Sequence, residues 1–277
     1  MNDSLFSQGA KLAFRDNGAG VPVVFLHPTP LDHDYWHPLI QQMAGIRAIV
    51  PDLRGHGESE LGTSLPVGGF TLVPDAPVLT MEQLAADTLA LLDHLAMPAA
   101  VFAGCSIGGY VLLELWRRAP ERMSGLAFVC SKPQPDAEVN LARRAATIAQ
   151  ARAAGVDELF DGMAQSLAGV SARTQRPQLT AELRARMTLT PQALVAVQAG
   201  LATRPDSVPT VATISAPVLA IAGGEDAHVT AAEMEAFRAA PGRCTFHLLP
   251  DAGHLAAYEQ PEKVAALLSG WLMQLAD

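Results

Sequence analysis

Cysteine is scarce in this chain. Its three cysteines, Cys105, Cys130 and Cys244, are odd in number and widely spaced, which suits neither a disulfide framework nor a zinc ligand set. A reducing cytosol is therefore the expected compartment. Basic residues are few: 19 Lys and Arg stand against 28 Asp and Glu, for a formal charge of -9. No basic stripe is left to neutralise a phosphate backbone, so nucleic acid is not an expected partner. The first residues, "MNDSLFSQGA", lack a basic head followed by an apolar run, and no apolar segment approaches the roughly 18 residues of a membrane span. The chain reads as unexported and cytoplasmic, without a membrane partner. Internal repeats and low-complexity tracts are missing as well.

What the chain has in quantity is apolar residues, 49% of 277, enough to bury one large core, with or without an insertion. They fall into short runs: "VPVVFLH" (21–27), "RAIVPD" (47–52), "AAVFAGC" (99–105), "SGLAFVC" (124–130), "APVLAIAG" (216–223) and "CTFHLLP" (244–250). These are too short and too uniformly apolar for half-exposed hairpins, and they read as strands buried on both faces. Between them, 34–43, 81–96, 108–118, 230–239 and 261–275 place apolar residues at helical spacing. Alternating strand and helix predict an α/β fold: a mostly parallel central sheet with helices on both faces. The segment at about 4–16 is expected to add one or two antiparallel edge strands.

Two segments break the rhythm. Residues 133–210 run from "KPQPD" to "RPDSVPT" through Ala- and Arg-rich helical patterns without a strand. They predict a helical cap inserted into a core formed by 1–132 and 211–277. The stretch 59–80, rich in Gly and Pro, is long for a loop in a compact domain.

The chemistry is expected where a strand gives way to a helix. Gly104-Cys105-Ser106-Ile107-Gly108 has the G-x-S-x-G pattern of a nucleophile elbow, with strand and helix in the required places. The turn is so sharp that residues two before and two after the serine must be small. A phosphate-binding turn is the bland alternative, but neither G-x-x-x-x-G-K-[ST] nor G-x-G-x-x-G occurs. Serine needs a base, and the base needs an orienting carboxylate. Asp226 follows the strand ending at Gly223, and His254 follows the strand ending near Pro250, in the order Ser, acid, His. Glu225 is the fallback acid, and Asp251 is less suitably placed. His228 competes as a base but stands too near Asp226 in sequence.

An oxyanion formed at Ser106 needs N–H donors. Ile107 supplies one at the start of its helix, and Thr29 the other, because Pro28 and Pro30 cannot donate. His27, His33 and His37 with Asp32 and Asp34 match no standard metal spacing, and a helix start capped by Asp is expected instead. No metal or cofactor is called for. Arg54 and His56 read as structural loop anchors, and Cys105 as packing at the end of its strand.

With these residues in place, the sequence resembles the α/β-hydrolase superfamily, in particular its small capped esterases, lactonases such as enol-lactonases, and carbon–carbon bond hydrolases. The resemblance covers about 21–132 and 211–275 and rests on "DLRGHGES" (52–59), "GCSIGGY" (104–110), "RAPERMSGLAFV" (118–129), "GGED" (223–226) and "GHLAAYEQPE" (253–262). It implies Ser106 as nucleophile, Asp226 as acid and His254 as base, with Thr29 and Ile107 at the oxyanion positions. One departure is that the family's His-Gly-x-Pro reads His27-Pro28-Thr29-Pro30 here. With serine as the nucleophile, the chemistry of aspartate-nucleophile dehalogenases and epoxide hydrolases is not implied.

The expected substrate is a small carboxylic ester or lactone. Carbon–carbon bond hydrolysis on the same triad is the alternative, and a small-molecule receptor on this fold the third. Loops beyond the strands' C-terminal ends surround such sites, so both 59–80 and the cap are expected to border the pocket. Tyr35, Phe70, Leu72, Val73, Phe160, Met163 and Leu167 would make it apolar. Eight arginines and seven acids in 133–210 leave room for an inward-facing arginine that clamps a substrate carboxylate.

Overall fold

Eight strands make one sheet in the computed structural model, which describes residues 3–62, 65–67 and 69–275. They are β1 (Asp3–Ser7), β2 (Ala10–Gly18), β3 (Val21–Leu26), β4 (Ile46–Pro51), β5 (Ala100–Cys105), β6 (Met123–Val129), β7 (Val218–Gly223) and β8 (Cys244–Leu249). Their order in the sheet is β1-β2-β4-β3-β5-β6-β7-β8. β1 and β2 pair antiparallel, as does β2 with β4, and every later pairing is parallel. All six residues of β5 and all six of β7 are buried, as expected of inner strands of a parallel sheet whose two faces are both covered by helices.

The helices in chain order are α1 (His37–Ile40), α2 (Met81–His94), α3 (Ile107–Arg118), α4 (Glu138–Ala154), α5 (Asp157–Leu167), α6 (Val170–Gln175), α7 (Leu179–Ala185), α8 (Pro191–Ala202), α9 (Val208–Val211), α10 (Ala231–Met234), α11 (Ala256–Glu259) and α12 (Pro261–Met273). Local sequence starts several of them. Thr80 and Thr190 accept hydrogen bonds from Gln83 N and Ala193 N at the starts of α2 and α8, with Pro191 opening α8. Thr230 and Glu233 close a capping box on α10. None of the described helices is long and apolar enough to cross a membrane.

The site's position follows from one crossing. From β3 the chain passes to β4 on one side, then returns to place β5 on the other side of β3. Loops leaving β3 and β5 therefore part in opposite directions and open a crevice beyond the strands' C-terminal ends. Thr29 and Ser106 stand in those two loops.

Between β6 and β7 the chain forms α4 to α9 and no strand. The long α4 packs on α8, whose residues from Ala193 to Leu201 are all buried. Of residues 59–80, expected at the pocket, positions 63, 64 and 68 lie outside the described residues, and the described ones are placed away from it. Leu79 N donates to Ala196 O of α8 at 3.0 Å, and Asp75 pairs with Arg152 of α4 at 3.1 Å. A backbone bond to α8 and an ion pair to α4 thus hold the loop against the helices, and none of its described residues lines the cavity described below.

Candidate active site

Ser106 stands between β5 and α3 with φ 52° and ψ -115°, a left-handed conformation that costs a non-glycine residue on the order of 1–3 kcal/mol. Its neighbours hold it there. Ser106 N donates to Val129 O at 3.2 Å, while Ser106 O accepts from Tyr110 N at 3.2 Å and from the Ser131 hydroxyl at 2.9 Å. The glycines are required by contact: a Cβ on Gly104 would lie 2.5 Å from Gly108 C, and one on Gly108 would lie 2.2 Å from Leu26 O. Small residues two before and two after the serine thus let β3, β5 and α3 meet at the turn.

His254 follows β8 and is buried. Its Nδ1 donates to Asp226 Oδ2 at 2.8 Å, so the proton sits on Nδ1 and Nε2 carries the free lone pair. Asp226 Oδ1 accepts from His228 N at 2.7 Å and Val229 N at 2.9 Å. Burial works against the Asp226 charge, but His254 and those two amides outweigh it and hold the carboxyl below its ordinary range. Glu225, next in sequence, turns the other way and accepts from Ser171 N at 2.8 Å and Ser171 Oγ at 2.6 Å. Asp251 is exposed. His228 Nε2 donates to Ser166 O at 3.2 Å, and burial together with the neighbouring His254 brings its pKa down to about 4.

Thr29 is tied to the loop beneath it. Leu53 N donates to His27 Nε2 at 2.9 Å, and His27 Nδ1 donates to Pro28 O at 3.1 Å. His56 Nδ1 donates to Arg54 O at 3.0 Å, which leaves its Nε2 to accept the Thr29 hydroxyl at 3.0 Å. Burial lowers His27 to about 4 and His56 to about 3, so both are neutral supports. Arg54 forks onto Asp87 with two 2.7 Å bonds. Asp32 caps the turn that follows by accepting from Asp34 N at 3.0 Å, and His33 binds Asp52 at 2.8 Å.

Ser106, Thr29 and His254 line one cavity of about 480 Å³, a size suited to a small organic ligand. Its other walls correct the expectation of an apolar pocket. Met163 and Leu167 line it, but Tyr35, Phe70 and Phe160 do not. Tyr35 is wholly buried behind the elbow, with its hydroxyl on Cys105 Sγ at 3.1 Å. Phe160 is buried within the helical segment beneath Arg184, and Phe70 is buried in the loop held against α8. Leu72 is exposed, and Val73 lies outside the cavity wall. Cys105 has no exposure, and burial drives its thiol far above the ordinary range.

Polar groups that sequence reading did not single out fill the wall. Asp136 just before α4 and Asn140, Arg143, Arg144 and Thr147 on it line the cavity, the last four falling three or four residues apart, the adjacent arginine pair aside, as on one helix face. That spacing was available in the sequence, but so were several other arginine-bearing faces. Asp136 is shared by Arg144 and Arg204, the latter at 2.7 Å, and Gln198 accepts from Arg144 at 2.9 Å. Lys132 pairs with Glu233. Among the described residues the Arg143 side chain makes no hydrogen bond or ion pair and is exposed to the cavity.

Comparison with known proteins identifies the family of the fold that carries these residues. Residues 23–267 match the Alpha/beta hydrolase family, and the chain belongs to that family. It is an enzyme of the α/β-hydrolase fold. A thermophilic esterase from Thermogutta terrifontis, solved with malate bound, shares 31% identity, covers 99% of each chain and superposes with a TM-score of 0.89. The 3-oxoadipate enol-lactonase 1 of Acinetobacter baylyi is 26% identical over 97% of this chain and 95% of its own. A non-heme chloroperoxidase from Streptomyces lividans is 34% identical over 46% of this chain and 43% of its own. These relatives are named for different reactions, so the family leaves the substrate open.

Proposed function

We propose that the chain is a serine hydrolase of small carboxylic esters or lactones, with residues 133–210 as a cap over the core formed by 1–132 and 211–277. Ser106 Oγ attacks the carbonyl carbon, and His254 Nε2 takes the hydroxyl proton. Asp226 keeps the imidazole in the Nδ1–H tautomer and stabilises the imidazolium that forms. The N–H groups of Thr29 and Ile107 receive the oxyanion; Ile107 opens α3, where helix N–H groups have no intrahelical partner. His254 returns its proton to the leaving alcohol, then draws a proton from water; the resulting hydroxide equivalent splits the acyl-enzyme, and His254 passes that proton to the departing Ser106 Oγ. The carrying observation is that Ser106 and an Asp-held His254 open on the same cavity.

The cavity wall favours substrates with a carboxylate. Lys132, Arg143 and Arg144 line it against Asp136 and Glu233, and Asp136 also holds Arg204 from outside the wall. In a chain of formal charge -9, this makes a local cationic excess, and Arg143 is its unengaged donor. The malate bound by the Thermogutta esterase is of the same chemical kind. The test is a panel of esters and lactones, neutral and carboxylate-bearing, on the parent, Ser106→Ala and Arg143→Gln. Ser106→Ala is expected to lose on the order of 10⁶-fold in kcat, and normal turnover by it ends the proposal. Arg143→Gln is expected to raise KM only for the carboxylate-bearing substrates; an equal change for neutral ones removes the anion preference.

A further inference from the structure

Glu259, at the end of α11, is a buried carboxylate with no ion-pair partner among the described residues. Burying an unpaired charge is costly, so what the side chain does in return matters. Its Oε2 accepts from Gly253 N at 2.8 Å and Gly169 N at 3.2 Å, and its Oε1 accepts from Leu255 N at 3.1 Å. Gly253 and Leu255 flank His254, whose own N–H donates to Leu167 O at 3.0 Å. Three consecutive amides around the imidazole are thus engaged, two by Glu259 and one by the end of α5. Burial pushes the Glu259 carboxyl above its ordinary range, against the pull of the three amides and of His254.

We infer that Glu259 is a positioning residue: its two oxygens fix the backbone on both sides of His254 and join that turn to residues 167–169 of the helical segment between β6 and β7. The inference rests on His254 being the base. Donors converge on both oxygens, so both must accept. A glutamine has nearly the same shape and is cheaper to bury, but its NH₂ would face an N–H group in place of one acceptor. The tight seat supports the same point, since a Cβ on Gly253 would fall 2.2 Å from Gly169 N and one on Gly169 would fall 2.9 Å from Glu259 Oε2. Only backbone without side chains brings the two turns close enough to share the carboxylate.

Glu259→Gln and Glu259→Asp are compared with the parent and with Ser106→Ala in ester hydrolysis, thermal unfolding and residue-resolved amide exchange. For Glu259→Gln the expected result is a loss of roughly ten- to a hundred-fold in kcat, the scale of a small misplacement of a reacting group, with KM within about twofold. Exchange at Gly253 and Leu255 accelerates while amides of β5 and β7 keep their protection. Glu259→Asp keeps both acceptors on a shorter stem and is expected to recover part of the lost kcat; if Glu259→Gln fails to fold, Glu259→Asp carries the comparison with the parent alone. Parent-like kcat, or exchange that rises equally across the sheet, overturns the inference. Should the parent show no Ser106-dependent hydrolysis, the hydrolase reading fails, and local exchange at Gly253 and Leu255 still decides whether Glu259 fixes that turn.

Discussion

Glu225 and Asp226 are adjacent, equally charged and on the same turn, yet their side chains reach different parts of the molecule. Asp226 meets His254 at 2.8 Å, whereas Glu225 holds Ser171 at the start of α6. If the proposed roles hold, Asp226→Asn drops kcat by about 10⁴-fold, because the amide no longer enforces the productive tautomer. Glu225→Gln keeps an acceptor for Ser171 and changes kcat by less than about tenfold. Steady-state kinetics on the two variants separate them, and equal losses would reassign the acid. That Asp226 and His254 could meet was legible in the sequence, because each stands in the loop after a buried apolar run, the strands β7 and β8. The direction in which Tyr35 or Phe160 points was not, since an aromatic near the site along the chain can pack behind it, as Tyr35 does against Cys105.

At the scale of elements, glycines that look alike in sequence have opposite roles. Gly200 lies in α8 and Gly270 in α12, and helix propensity alone says that alanine at either stabilises by about 0.5–1 kcal/mol. The surroundings decide. A Cβ on Gly270 meets nothing within 4 Å, while one on Gly200 lands 1.7 Å from Leu79 O, a backbone atom that cannot swing aside. Gly270→Ala is expected to raise stability by about 0.5–1 kcal/mol, and Gly200→Ala to lower it by roughly 1–3 kcal/mol as overpacking outweighs propensity. Urea unfolding of the two variants measures the signs; a stable Gly200→Ala would mean that the loop does not rest on α8. Most elements were legible because buried strands and helices carry their period in the sequence. The seat of the 59–80 loop was not, because it depends on backbone contacts with α8 that leave no side-chain pattern to read.

For the whole molecule, the parallel sheet and its crevice follow from strand order, but the charge balance inside the fold does not follow from composition. It also sets how stability responds to pH. His27 and His56 are wholly buried and neutral, with pKa values lowered from 6.5 to about 4 and about 3. Each folded-state pKa lies below its unfolded value, so the unfolded chain binds more protons between these limits. Their stabilisation is complete above pH 6.5 and is lost as pH falls toward 4 and then 3. Asp52, lowered to about 2, acts only below about pH 4, and His33, raised by its bond to Asp52 against the effect of burial, acts above 6.5. His228, lowered to about 4, acts in the same direction over the same window, and the raised carboxyls of Asp32 and Glu259 oppose these three histidines in its acid part. Between pH 6.5 and 5 the unfolding free energy is therefore expected to fall with decreasing pH, by up to about 1.4 kcal/mol per unit for each histidine. His56→Gln should remove one proton from that slope. Urea unfolding at half-unit steps of pH checks both statements, and a flat parent profile, or a slope unchanged in His56→Gln, would show that these imidazoles are not held neutral by the fold.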